Sequence, residues 1–219
     1  AVSKSNVETL IAALEKALPH HKGTYDYAKQ VLASWRVTFA PRHTIPMSRP
    51  WMLMISWWFS HNGHARLGGL LLLQYYFALR PGELLALTTD ILLLPEDLVF
   101  GTTVGAVLLG VRRRTKSGRP QYVLTHDPRA IWMMRQFRQF TTAGARLVTF
   151  SSLSTMARWI NKAAAALGLG VNWTPHSART GWASDAALED VPFDTIREHG
   201  RWVSDKTVRI RLDVQAVLA

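Results

Sequence analysis

The chain has 219 residues, 48% of them hydrophobic and 19% charged, which is enough for one good core or one domain with a small companion and too apolar to remain disordered. A formal net charge of +11 and a pI near 10.5 point to a polyanionic partner, either nucleic acid or an anionic membrane surface. There is no cysteine, which excludes disulfides, a thiol nucleophile and cysteine-ligated zinc.

The chain opens on the polar "AVSKSNVETL", which does not read as a signal peptide, so an intracellular setting is expected. Residues 7–18 have helical spacing and are stopped by Pro19; residues 24–39 form a second amphipathic helix ended by Pro41. "APRHTIPMSRP" (40–50) carries three prolines and reads as a linker. A boundary therefore falls here, giving a short helical segment 1–45 and a larger domain 46–219. Two apolar helices follow, about 51–59 and 66–79, divided by the turn "SHNGHA". The run "LGGLLLLQYYFAL" (67–79) is too short to span a bilayer and contains Gln74, so it reads as a buried core helix, and the membrane reading is weak. "RPGELLALTTD" (80–90) is a further short helix, with Pro81 and Glu83 suited to its start.

The pattern then changes. "VGAVLLGV" (104–111) and "QYVL" (121–124) are β-like and flank a basic turn, so a hairpin is expected, with an extra short strand near 97–100. Helices are expected again at 127–141, 151–168, 175–188, 193–199 and 204–214. The fold class is mainly α with a small antiparallel β-sheet (α+β).

Basic residues are spread through the chain, so only the fold can gather them onto one face. The one dense cluster is "RRRTKSGR" (112–119), holding Arg112, Arg113, Arg114, Lys116 and Arg119 with no acid. It is either a solvated turn or a hairpin tip that enters a DNA groove. Lys116 differs from its neighbours because an ammonium can give up a proton and a guanidinium effectively cannot. Arg80 ends an apolar helix; it either pairs with Glu83 or is held by the core toward an anion. In "TPHSARTGWASD" (174–185), Thr174 suits an N-cap and Pro175 the first helical position. His176 and Arg179, three apart, then share a face where a helix start already favours anions. His199 reads as a helix-end residue and Trp202 as core with one N–H to donate. His61 and His64 have loose metal spacing without a clear third ligand, and no paired catalytic carboxylates or Walker-type phosphate loop occur.

In order, "ALRPGELLAL", the lysine of "RTKSGRP", "HSAR" and "GRW" resemble the catalytic domain of the tyrosine recombinases, or phage integrases, over roughly residues 75–213. The resemblance implies a DNA breaking and rejoining fold that acts on double-stranded DNA without metal or other cofactor. It makes Arg80 the first catalytic arginine, Lys116 the hairpin lysine, His176 and Arg179 the "HSAR" pair, and Trp202 the occupant of a position held by His or Trp. Arg112, Arg113, Arg114 and Arg119 would then bind DNA. Two arginines can hold the non-bridging oxygens of a phosphodiester, Trp202 can add a donor, His176 can assist proton transfer, and Lys116 can protonate the leaving 5′ oxygen.

The family's nucleophile is a tyrosine about nine residues after the His/Trp position. That position is Arg211 here, and no tyrosine follows Tyr122. A guanidinium stays protonated and cannot attack phosphorus. The resemblance therefore implies a phosphate pocket without the covalent step: a recombinase by descent, or a DNA-binding regulator or partner subunit. It also implies a homo-oligomer on DNA and a location with DNA, the nucleus in a eukaryote. A third, unrelated reading is a metal-dependent nuclease or phosphatase built on His61, His64, His176 and Asp185.

Overall fold

A computed structural model describes residues 4–38, 44–98, 103–110, 120–150, 152–205 and 208–209. Its contacts divide the chain into two units, Ala1–His43 and Thr44–Ala219. In the first unit, helix α1 (Lys4–Ala17) ends ahead of Pro19, whose ring opens a single 3-10 turn at Pro19–His21. Helix α2 (Asp26–Thr38) follows, with Lys29 paired to Glu15 of α1 at 2.5 Å.

The second unit begins with an irregular segment, 44–48, and helix α3 (Arg49–His61). The helix starts two residues earlier than expected, because Pro50 fits the first turn, where its missing N–H costs nothing. Helix α4 (Ala65–Tyr76) follows the Gly63 turn and stops three residues short of the expected end. There the backbone turns through Ala78 at φ 42°. Helix α5 is only Pro81–Leu85 rather than 80–90. Beyond it the backbone finds another strand of chain: Leu147 N–H donates to the Leu87 carbonyl at 2.9 Å and Thr89 N–H to Ala145 at 3.1 Å.

A three-stranded antiparallel sheet has the order β1 (Leu92–Leu93), β2 (Gly105–Leu109), β3 (Gln121–Thr125). Val107 faces Val123 in the hairpin, and Leu92 faces Val107 on the other side. The strand that adds to the hairpin therefore lies at 92–93. Pro95–Asp97 instead form a 3-10 turn in which the Asp97 carboxylate accepts the Leu94 N–H, while 99–100 lie outside the described residues.

Four further helices follow among the residues up to Gly200. Helix α6 (Pro128–Phe140) is capped by Asp127, and α7 (Leu153–Ala166) by Ser152. Helix α8 spans Ser177–Leu188 and α9 Phe193–Gly200. Of the expected helix 204–214, Asp205, Val208 and Arg209 are helical and the other positions from 206 onward are not described. The main core joins α3, α4, the sheet, α6 and α7 around Phe59, Tyr75, Phe77, Val107 and Met134. A smaller cluster of Ala183, Ala186, Ile196 and Val208 packs α8 on α9.

Candidate functional site

The C-terminal end of α4 is where the sequence-predicted arginines meet. A helix end leaves carbonyls without intrahelical donors and carries partial negative charge, so it attracts cations. Here Tyr76 O lies 3.1 Å from His199 Nε2, Phe77 O accepts from Arg201 at 3.4 Å, and Ala78 O accepts from both Arg179 (2.6 Å) and Arg201 (3.1 Å). The end of one core helix thus organises three side chains, one each from α8, from α9 and from the turn after α9.

Arg80 stands at the N-cap of α5. Its guanidinium pairs with Glu83 at 2.6 Å and donates to the Arg201 carbonyl at 2.7 Å. Glu83 reaches back to the Arg80 N–H at 2.7 Å and also pairs with Arg201 at 2.7 Å. Arg80 therefore does form the Glu83 salt bridge, and stays a quarter exposed while doing so. Burial pushes the Glu83 carboxyl up, but the charges and hydrogen bonds of Arg201 and Arg80 outweigh it and hold the group below its ordinary value. Three guanidinium groups against one carboxylate leave the cluster cationic.

The "HSAR" stretch begins its helix later than the sequence suggests. His176 is the N-cap and Ser177 the first helical residue, so Pro175 lies outside the helix. The Ser177 hydroxyl accepts the Thr174 N–H at 3.0 Å, closing a turn that competes with an earlier start. His176 is exposed and Arg179 is buried. Besides Ala78 O, the Arg179 guanidinium donates to the Gly200 carbonyl, and it lies over the Trp202 ring at 4.5 Å.

The turn Gly200–Arg201–Trp202 ties these groups together. Arg201 adopts a left-handed conformation, φ 53°, at the end of α9. An added Cβ on Gly200 would lie 1.6 Å from the Trp202 ring, so glycine is what lets the indole fold back. His199 stacks on Trp182 at 4.0 Å between ring centres. Burial pulls its pKa down to about 4, so its imidazole is neutral at pH 7. Sequence reasoning singled out Arg80, His176, Arg179 and Trp202 but passed over Arg201 and the backbone around it. The only signal was its place inside "GRW".

Lys116, Arg112, Arg113, Arg114, Arg119 and Arg211 lie outside the described residues. The metal-ligand candidates are not gathered. His61 packs tilted against Trp57 and His64 tilted against Trp159, and Asp185 accepts from the Tyr75 hydroxyl and from the Arg49 N–H. Among the described residues no three His, Cys, Asp or Glu side chains form a group able to hold a metal ion. Nor is any described helix long and apolar enough to cross a membrane. Tyr75 and Tyr76 lie near the site but are buried, and burial pushes both hydroxyls up, away from the phenolate. Tyr122 is exposed on β3.

No protein-family model matches the chain, and no curated protein matches it. Solved structures do. A lambda integrase dimer bound to a COC′ core site superposes with a TM-score of 0.61 at 13% identity, over 96% of this chain and 64% of the integrase chain. XerA recombinase gives 0.58 at 15% identity, over 96% of this chain and 78% of its own. XerH site-specific recombinase bound to difH substrate, in a pre-cleavage complex, gives 0.58 at 13% identity over 77% of this chain. The chain spans half the length of that XerH chain. Its fold is that of the tyrosine recombinase catalytic domain: mostly helical, with a small three-stranded antiparallel sheet.

Proposed function

We infer that this chain is a DNA-binding protein of the tyrosine recombinase type, by descent a site-specific DNA strand-cleaving and rejoining enzyme, with Arg211 at the nucleophile position. One observation carries the reading. Arg80, Arg179 and Trp202, distant in sequence, are all tied to the turn Gly200–Trp202, through the Arg201 carbonyl, the Gly200 carbonyl and the Arg179–indole contact. In this reading the two guanidinium groups hold the non-bridging oxygens of one phosphodiester and stabilise charge that builds on them in the transition state. Trp202 N–H adds a donor, His176 at the exposed start of α8 assists proton transfer, and Lys116 delivers a proton to the leaving 5′ oxygen. The partner is double-stranded DNA, engaged by a homo-oligomer, and the setting is intracellular, with DNA.

A second reading is a non-enzymatic regulator or partner subunit that binds the same DNA. It is favoured by the burial of Tyr75 and Tyr76, neither of which can reach a phosphate in place of the missing nucleophile. One substitution separates the two. Arg211→Tyr is incubated with nicked duplexes of randomised sequence, and protein-linked DNA is captured after denaturation. The recombinase reading expects a covalent adduct from Arg211→Tyr and none from the parent chain. DNA binding without any adduct leaves the regulator, and no binding at all removes both.

A further inference from the structure

Before α3 begins, the chain crosses helix α8 on the side away from Arg179. Residues 44–48 lie along Ser177, Gly181 and Asp185, spaced by four and therefore in one stripe. Met47 N–H donates to the Ser177 carbonyl at 3.0 Å, and Arg49 N–H to the Asp185 carboxylate at 2.6 Å. The Trp173 indole donates to the Pro46 carbonyl at 3.4 Å. Between these anchors the backbone of Met47 meets the backbone of α8 with nothing in between. A Cβ built on Gly181 would lie 1.7 Å from the Met47 carbonyl oxygen and 2.4 Å from its carbon. Met47 itself is fully buried, and the Tyr75 hydroxyl donates to the same Asp185 carboxylate oxygen as the Arg49 N–H, so the strap is anchored in the core.

At 100° per residue, Arg179 projects from nearly the opposite side of α8 to Ser177 and Gly181. On that side it reaches the Ala78 and Gly200 carbonyls. The depth at which the strap lets α8 sit therefore fixes how far Arg179 extends toward the end of α4 and the turn after α9. We propose that the Pro46–Met47 strap, seated on Gly181, positions Arg179: it is the stop against which α8 rests, and Gly181 is the residue that makes the stop close enough. Gly181 and the strap are positioning elements and touch no DNA. For the strand-cleavage chemistry, the inference rests on the recombinase reading above; the placement of Arg179 by the strap does not.

The test uses the full chain carrying Gly181→Ala or Pro46→Gly, which crowd and slacken the contact respectively. Met134→Ala, at a buried residue of α6 that makes no hydrogen bond to the strap, serves as a control for loss of stability alone. The first readout is the guanidinium of Arg179 in 15N-arginine-labelled protein, identified by its loss in Arg179→Lys. Held by two carbonyls, its Nη groups rotate slowly and give separate signals. Both strap variants are expected to merge or shift those signals, and Met134→Ala to leave them in place. If Gly181→Ala does not fold, Pro46→Gly decides. Unchanged Arg179 signals in a folded strap variant overturn the proposal, as does an equal change in Met134→Ala. The second readout is adduct formation in the Arg211→Tyr background, where a misplacement of about 1 Å is expected to slow the rate on the order of 100-fold while DNA binding changes less than about threefold. An equal adduct rate with and without the strap substitution also overturns the proposal. Altered Arg179 signals with no adduct from Arg211→Tyr alone leave the strap standing and remove the recombinase reading instead.

Discussion

Arg201 shows how a charge inside a motif can be taken up by the protein itself. Its guanidinium is engaged by Glu83 and by the carbonyls of Phe77, Ala78 and His199, so it serves the protein. Arg201→Met removes one partner of a buried ion pair, and Glu83 keeps only Arg80. The expected loss is about 3 kcal/mol, read from the urea midpoint at constant slope. His199 gives a pH dependence. Its folded pKa, about 4, lies below the ordinary 6.5, so the folded state binds fewer protons than the unfolded one between those values. Its contribution is complete above pH 6.5 and is lost as pH falls through 4, about 3 kcal/mol in all. Urea titrations from pH 7 to 4 are expected to show a stability slope that His199→Gln reduces; equal slopes for the two proteins would contradict this. The sequence made the motif residues visible, but their neighbours were hidden, because Arg201 and His199 look like any basic residues near a helix end.

At the scale of elements, the turn after α9 matters more than the helix. Gly200 is buried, and its carbonyl holds Arg179 while Arg201 O holds Arg80. Gly200→Ala drives a methyl into the Trp202 ring. The expected cost is about 1–3 kcal/mol of overpacking, with a lower thermal midpoint and a changed tryptophan spectrum. The hairpin was legible because two β-like runs, 104–111 and 121–124, flank a basic turn that carries Ser117, Gly118 and Pro120. The β1 strand was not, because two residues carry no period; their pairing with Ala106 and Val107 is long-range. The same holds for α5. Its apolar pattern continues past Leu85, but the backbone at 87–89 is taken up by hydrogen bonds to 145–147.

For the whole molecule, the charge of +11 makes a prediction about the partner. If about six phosphates are contacted, log K for duplex DNA is expected to fall against log salt with a slope near −5. A flat salt dependence would rule DNA out. If both arginines hold one phosphodiester, as proposed above, Arg80→Ala with Arg179→Ala is expected to weaken DNA binding and to shrink the salt slope by about 1. A thermal scan with Zn²⁺ or Mg²⁺ distinguishes the metal-dependent reading, which requires a rise in the midpoint that depends on His61, His64, His176 and Asp185.

The sequence by itself determined the helical periodicity, the hairpin, the excess of cations and the four motifs in order, because each is written in residues close together along the chain. Only the tertiary structure decided that Arg80, Arg179 and Trp202 converge, since that depends on the end of α4, the turn at Gly200 and the depth of α8 against Met47. Those are contacts between backbones far apart in sequence. Sequence patterns report side-chain periodicity and carry almost no trace of where distant carbonyls come to rest.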